Sequence, residues 1–172
     1  MTIERSKGTT FKGDPLTLLV HALKAGDKAP SFTARSQDLK PFTLENTAGK
    51  IRLFSAVPSL DTPVCDMETR RFNAEAAALG DKVEIVTVSL DLPFAQKRWC
   101  GAAGIDKIKV VSDYYDRSFS QAYGTLIKEL HLSSRAVFVV DDKDVIRYVE
   151  YVPEMVNQPD YDKAIAAVKA LL

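Results

Sequence analysis

The chemistry of this chain is concentrated in PSLDTPVCDMETRRF, residues 58–72, where a cysteine follows a threonine by three positions and a proline by two. Only two cysteines occur in 172 residues, Cys65 in this stretch and Cys100 in QKRWCGAAG. A thiol attacks electrophiles as its thiolate, so a reactive cysteine needs surroundings that favour negative charge. Thr62 is a good N-cap and Pro63 suits the first helical position, which makes Cys65 the third residue of a helix. Backbone N–H groups there lack helical partners, and the helix dipole favours an anion. In general, such positions and nearby cations bring reactive cysteines from ~8.5 to roughly 3.5 to 7.5. The spacing therefore reads as a nucleophile, with the Thr62 hydroxyl in reach of the sulfur or of a bound oxygen. The competing reading is a buried structural cysteine. Ionisation alone gives roughly a few-fold, because a lower pKa also lowers intrinsic nucleophilicity. A fast enzyme needs further donors that hold the substrate and stabilise charge on its leaving group.

The elements that must position these residues alternate along the chain. TTFKGDPLTLL reads as a hairpin around a Gly-Asp-Pro turn, at the edge of whatever follows, and LKAGDKAPSF as a loop. IRLFSAV, residues 51–57, suits a buried strand, and the helix opening at Thr62 carries Met67, Phe72, Ala76 and Leu79 as an apolar stripe toward Gly80. KVEIVTVSL at 82–90 is a second central strand, and 92–104 a short helix ended by glycine. IKVVS, RAVFVV and DVIRYVEYV read as strands, DRSFSQAYG and YDKAIAAVKALL as helices. This order predicts an α/β chain with a thioredoxin-like three-layer fold, as one domain over residues 1–172.

Composition removes several function classes. The 23 basic and 23 acidic residues balance and no segment concentrates Lys or Arg, so nucleic acid is not an expected partner. The N-terminal residues have no apolar signal core, and nowhere do eighteen apolar residues run together, so a soluble, intracellular protein with no membrane partner is expected. Two cysteines are too few for a disulfide scaffold. The remaining constellations are weak. His21 and His131 with the cysteines lack the close spacing of a zinc site, and a Cys–His hydrolase using His131 has no orienting partner. Asp113, Asp116, Asp141, Asp142 and Asp144 read as turn and capping residues, and Trp99 and Tyr114 as core aromatics. No metal or cofactor is expected.

Pro58, Thr62 and Cys65 resemble the Pro-x-x-x-Thr-x-x-Cys signature of the peroxiredoxins, and the chain is similar to their bacterial thiol peroxidase branch well beyond it. TTFKGDPLTL, AGDKAPSFTA, VSLDLPFAQKRWCGAAGI, SSRAVFVVD and YVEYVPEM each resemble stretches of that branch, so the likeness spans nearly the whole chain. The resemblance implies a thioredoxin fold with an added N-terminal β-hairpin, a cytoplasmic homodimer, and reduction of hydroperoxides with electrons from thioredoxin. It implies that Cys65 is the peroxidatic cysteine, that Thr62 hydrogen-bonds thiolate and peroxide, and that Pro58 shields the pocket. It also makes Arg135 the active-site arginine and Cys100 the resolving cysteine of an intramolecular Cys65–Cys100 disulfide. Taken alone, Arg135 reads as a solvated charge at a strand end, and Cys100 equally as a buried helical residue. A bridge needs Cα atoms within ~7 Å, and both sulfurs lie on helical segments, so each segment is expected to unwind locally during turnover. The chain departs from the branch at Ser31, Val20 and Trp99, where aspartate, glycine and phenylalanine are usual. The non-enzymatic alternative is a redox sensor, in which the same pair forms a disulfide slowly and alters a partner surface.

Overall fold

The computed structural model describes residues 2–172. Two antiparallel strands, β1 (Glu4–Phe11) and β2 (Asp14–Leu19), form a separate sheet of their own. The hairpin is thus present but does not extend the edge of the main sheet. Its turn is also displaced from the expected Gly-Asp-Pro: Phe11 pairs with Asp14, leaving Lys12 (φ 51°) and Gly13 (φ 87°) as the corner. Positive φ at both central residues is what a type I′ two-residue hairpin turn requires, and glycine supplies it without strain. Pro15 sits inside β2, where an outer strand tolerates its missing donor.

The main sheet has seven strands in the order β4-β3-β7-β6-β5-β8-β9. They are β3 (Thr33–Arg35), β4 (Pro41–Thr43), β5 (Ile51–Ala56), β6 (Val83–Ser89), β7 (Lys109–Ser112), β8 (Ala136–Val140) and β9 (Ile146–Tyr151). β5, β6 and β7 run parallel, whereas β8 is antiparallel to β5 and β9 to β8. The central strands are buried on both faces, which is why IRLFSA and AVFVV are almost unbroken apolar runs.

Alternate side chains of these strands feed two cores. On one face Leu53, Ile85, Val110, Val137 and Val139 pack with Cys65, Phe72 and Leu79 of α1 (Pro63–Leu79) and Cys100 of α2 (Pro93–Ala103). Ala164, Ile165 and Val168 of α4 (Tyr161–Lys169) complete this layer. On the other face Phe54, Val86, Val88, Phe138 and Val140 pack against Phe32, Phe42 and Leu44 and against Phe119 and Tyr123, at and just beyond the short α3 (Ser118–Ala122). Phe119 and Tyr123 stack with centroids 4.2 Å apart. Helices, sheet and a thinner third cover are the three layers that the order of elements predicts.

One edge of the main sheet, β4 and β3, carries no cue in the sequence. β3, β4 and the 3₁₀ turn at Leu44–Thr47 all follow the LKAGDKAPSF loop, and strands of three residues are too short to show a period. Val20, where the resembling branch has glycine, adopts φ 70°, a left-handed conformation unusual for a β-branched residue. Among the described residues no helix is long and apolar enough to cross a membrane.

Candidate active site

Thr62 and Pro63 open α1 as the sequence predicts, and Cys65 is its third residue. The Thr62 side chain does not cap the helix: its hydroxyl donates to the Ser59 carbonyl at 2.8 Å. The expected apolar stripe is also shifted. Met67 is 48% exposed, whereas Cys65, Glu68, Thr69, Phe72 and Leu79 are buried. The buried stripe therefore contains a carboxylate, and the reason is the arginine that meets it.

Arg135 immediately precedes β8, whose antiparallel pairing with β5 sets it beside the start of α1. Its side chain is buried and fully committed. One terminal nitrogen donates to Glu68 Oε2 at 2.6 Å, and the other to the Met155 carbonyl at 2.8 Å and to Cys65 Sγ at 3.4 Å. Nε reaches the same carbonyl at 3.2 Å. Burial works against the charge, yet Glu68 and Cys65 beside it hold the Arg135 guanidinium above its ordinary value. A fixed cation therefore lies against a sulfur with no exposed surface, at a helix N-terminus that also favours negative charge.

Glu68 completes the ring by accepting from Ser55 Oγ of β5 at 2.7 Å. Burial pushes the Glu68 carboxyl above the usual range, with Arg135 and Ser55 opposing. With the folded value above the unfolded one, its contribution to stability is fully present below ~4.3 and is lost as pH rises through the raised value. Across that window the wild type loses stability with rising pH, and Glu68→Gln lacks this slope. Urea midpoints of both proteins, measured at closely spaced pH from about 4 upward, check it; parallel curves would contradict it.

The hairpin contributes to the same ring. Thr10 N–H donates to the Pro153 carbonyl and Met155 N–H to the Thr10 carbonyl, each at 2.8 Å. Glu154, held down to about 2 by the Thr10 hydroxyl and the backbone N–H of Gly13, Val156 and Lys12, ties the hairpin tip to this segment. The hairpin thereby fixes the Met155 carbonyl that anchors Arg135. Its tip, Phe11 and Lys12, also walls a groove of about 480 Å³ lined by Pro58, Thr62, Val64, Leu132, Arg135 and Val156 among others. Three expected site residues, Pro58, Thr62 and Arg135, thus meet in one groove, and Cys65 lies behind Arg135.

Cys100 does not join them. It sits in the last turn of α2 as a buried free thiol, with Gln37 Nε2 donating to its sulfur at 3.3 Å. Burial pushes its thiol up, and Gln37 opposes this. His131 pairs with Arg117 at 2.7 Å and lines a different cavity, away from both cysteines. No three His, Cys, Asp or Glu side chains group as metal ligands among the described residues. Glu68 and Ser55 were not singled out from sequence. The signal available for Glu68 was its place three residues after Cys65, on the same helix face.

The family described as Redoxin matches residues 24–165. A thiol peroxidase of Halalkalibacterium halodurans is 59% identical over 163 residues, covering 95% of this chain and 98% of the relative. One of Bacillus subtilis is 53% identical, over 95% and 97%. A solved peroxiredoxin-like protein from Aquifex aeolicus superposes with a TM-score of 0.90 at 37% identity, covering 99% of each chain.

Proposed function

The chain belongs to the Redoxin family, and from that premise we propose that it is a thioredoxin-dependent thiol peroxidase in which Cys65 is oxidised by hydroperoxides and Cys100 resolves it. The observation that carries this reading is the Arg135 guanidinium 3.4 Å from Cys65 Sγ at the start of α1. The Cys65 thiolate attacks the terminal oxygen of ROOH. An S–O bond forms as the O–O bond breaks, and its electron pair leaves on RO⁻, which takes up a proton to become water or alcohol. Sulfur is oxidised by two electrons to the sulfenic acid and the peroxide is reduced by two.

Arg135 cannot lose its charge, so it supports the thiolate before attack and the peroxide oxygens during it. The Thr62 hydroxyl donates its hydrogen bond to the Ser59 carbonyl, which leaves its oxygen to accept from the hydroperoxide O–H. Pro58 keeps water from the groove. The Cys100 thiolate then attacks the Cys65 sulfenic sulfur. An S–S bond forms, the S–O bond breaks, and hydroxide leaves with the thiol's proton as water, ahead of the irreversible sulfinic step. Two electrons from thioredoxin regenerate both thiols.

The groove supports a preference for alkyl and lipid hydroperoxides, because Phe11, Val64, Leu130, Leu132 and Val156 offer apolar wall to a carbon chain. On family grounds the protein acts as a cytoplasmic homodimer. Cys100→Ser tests the cycle. With thioredoxin, thioredoxin reductase and NADPH, the variant is expected to consume the first equivalent of cumene hydroperoxide at the wild-type rate and then lose roughly 10²-fold or more in turnover, as a second equivalent oxidises the unresolved sulfenic Cys65 to sulfinic acid. Sustained turnover by this variant would remove Cys100 from the mechanism.

A further inference from the structure

The two cysteines sit on different helices, and the residues next to them touch. Asp66 follows Cys65, and Trp99 precedes Cys100. The Trp99 indole donates from Nε1 to Asp66 Oδ1 at 3.1 Å. Arg70 donates from Nε to Asp66 Oδ2 at 2.9 Å and from a terminal nitrogen to the Ala103 carbonyl at 3.3 Å, with its guanidinium 5.7 Å from the Trp99 ring centroid. The start of α1 and the end of α2 are therefore joined at Asp66, which accepts from Trp99 and Arg70, and again where Arg70 reaches the Ala103 carbonyl. The other end of α2 is held separately: Asp91 accepts from Ser59 Oγ at 2.7 Å, the Leu60 N–H at 2.9 Å and Ser89 Oγ at 2.7 Å. That leaves the Trp99–Cys100 end, closed by Gly104 at φ 68°, as the part of α2 that can loosen.

We propose that the Trp99–Asp66 hydrogen bond is a gate that couples the unwinding of the two cysteine-bearing turns and delays disulfide formation. Trp99 and Asp66 act as positioning residues: while they are joined, Cys65 stays against Arg135, where peroxide is reduced, and Cys100 stays in its helix. Either turn that unwinds must release the other. Asp66 and Arg70 are partly exposed, so each contact is individually weak and opens without a large barrier. Phenylalanine, usual at position 99 in the resembling branch, would fill similar core space but has no N–H to give. The inference rests on Cys100 as the resolving residue.

Rapid-quench mass spectrometry tests it by following sulfenic acid, disulfide and sulfinic acid after one peroxide addition. Trp99→Phe and Asp66→Ala are each expected to speed disulfide formation roughly three- to tenfold, the range that loss of one hydrogen bond allows. Sulfinic acid falls in proportion, and the rate of the first peroxide step is unchanged. The double variant is no faster than the faster single one, because both remove the same bond. Asp66→Asn, which keeps an oxygen acceptor, returns the rate toward wild type. Unchanged disulfide rates, or accelerations that multiply in the double variant, overturn the gate while leaving the resolving role of Cys100 intact. Absence of any Cys65–Cys100 bridge in the wild type overturns both.

Discussion

Cys65→Ser is expected to reduce peroxide consumption to the uncatalysed background, a loss on the order of 10⁴-fold or more. The serine hydroxyl is nearly isosteric, but at neutral pH it offers no anion, and the oxygen it would present cannot accept and release two electrons as sulfur does. The buried ring of Arg135, Glu68 and Ser55 does not depend on the sulfur: Arg135 keeps Glu68 at 2.6 Å and the Met155 carbonyl at 2.8 Å. The variant should therefore fold normally, with a thermal midpoint within a few degrees of wild type, so loss of activity would report chemistry and not collapse. Peroxide loss measured by a colorimetric assay, beside a melting curve, separates the two. Residual turnover above that of Cys65-blocked protein would place the reactive thiol elsewhere.

Arg135→Ala is expected to act on both activity and stability. Removing the cation beside the sulfur and the peroxide oxygens should slow the first step by roughly 10² to 10³-fold, the cost of losing one preorganised transition-state donor. It also leaves Glu68 buried without its partner, which costs about 3 to 5 kcal/mol when a buried pair is broken from one side. Arg135→Lys distinguishes charge from geometry. Lysine keeps the charge but concentrates its donors at one atom, so it cannot serve Glu68, the Met155 carbonyl and Cys65 together as the planar guanidinium does. Its first step should lie between wild type and Arg135→Ala. Stopped-flow rates at a temperature where circular dichroism shows each variant folded check this; a lysine variant as fast as wild type would mean that charge alone suffices.

The sequence pointed to Cys65 as the candidate nucleophile because its cues are local. Thr62, Pro63 and the spacing to Cys65 define a helix start within four residues, and helix-start physics says what a thiol there can do. The alternation of buried strands and helices was legible for the same reason, since β5, β6 and β8 are strong apolar runs. Arg135 was legible only through resemblance, because its partner Glu68 is 67 residues away and no period links them. Glu68 itself was obscured by hydrophobic patterning, which assigns a glutamate to solvent and put Met67 inward. Only the buried cation of Arg135, just before β8, reverses that choice. The hairpin's role is equally non-local: its hydrogen bonds to Pro153 and its contact with Glu154 have no signature in either segment alone.

The Arg135-flanked thiol of Cys65 is expected to reduce hydroperoxides far faster than a free thiol. Stopped-flow fluorescence of Trp99, the one tryptophan, after mixing reduced protein with cumene hydroperoxide tests it most directly. A second-order change at least about 10³-fold faster than free cysteine is expected, absent in Cys65→Ser and present in Cys100→Ser without the later disulfide phase. A response no faster than free cysteine would contradict it and leave a slow redox sensor on the same fold.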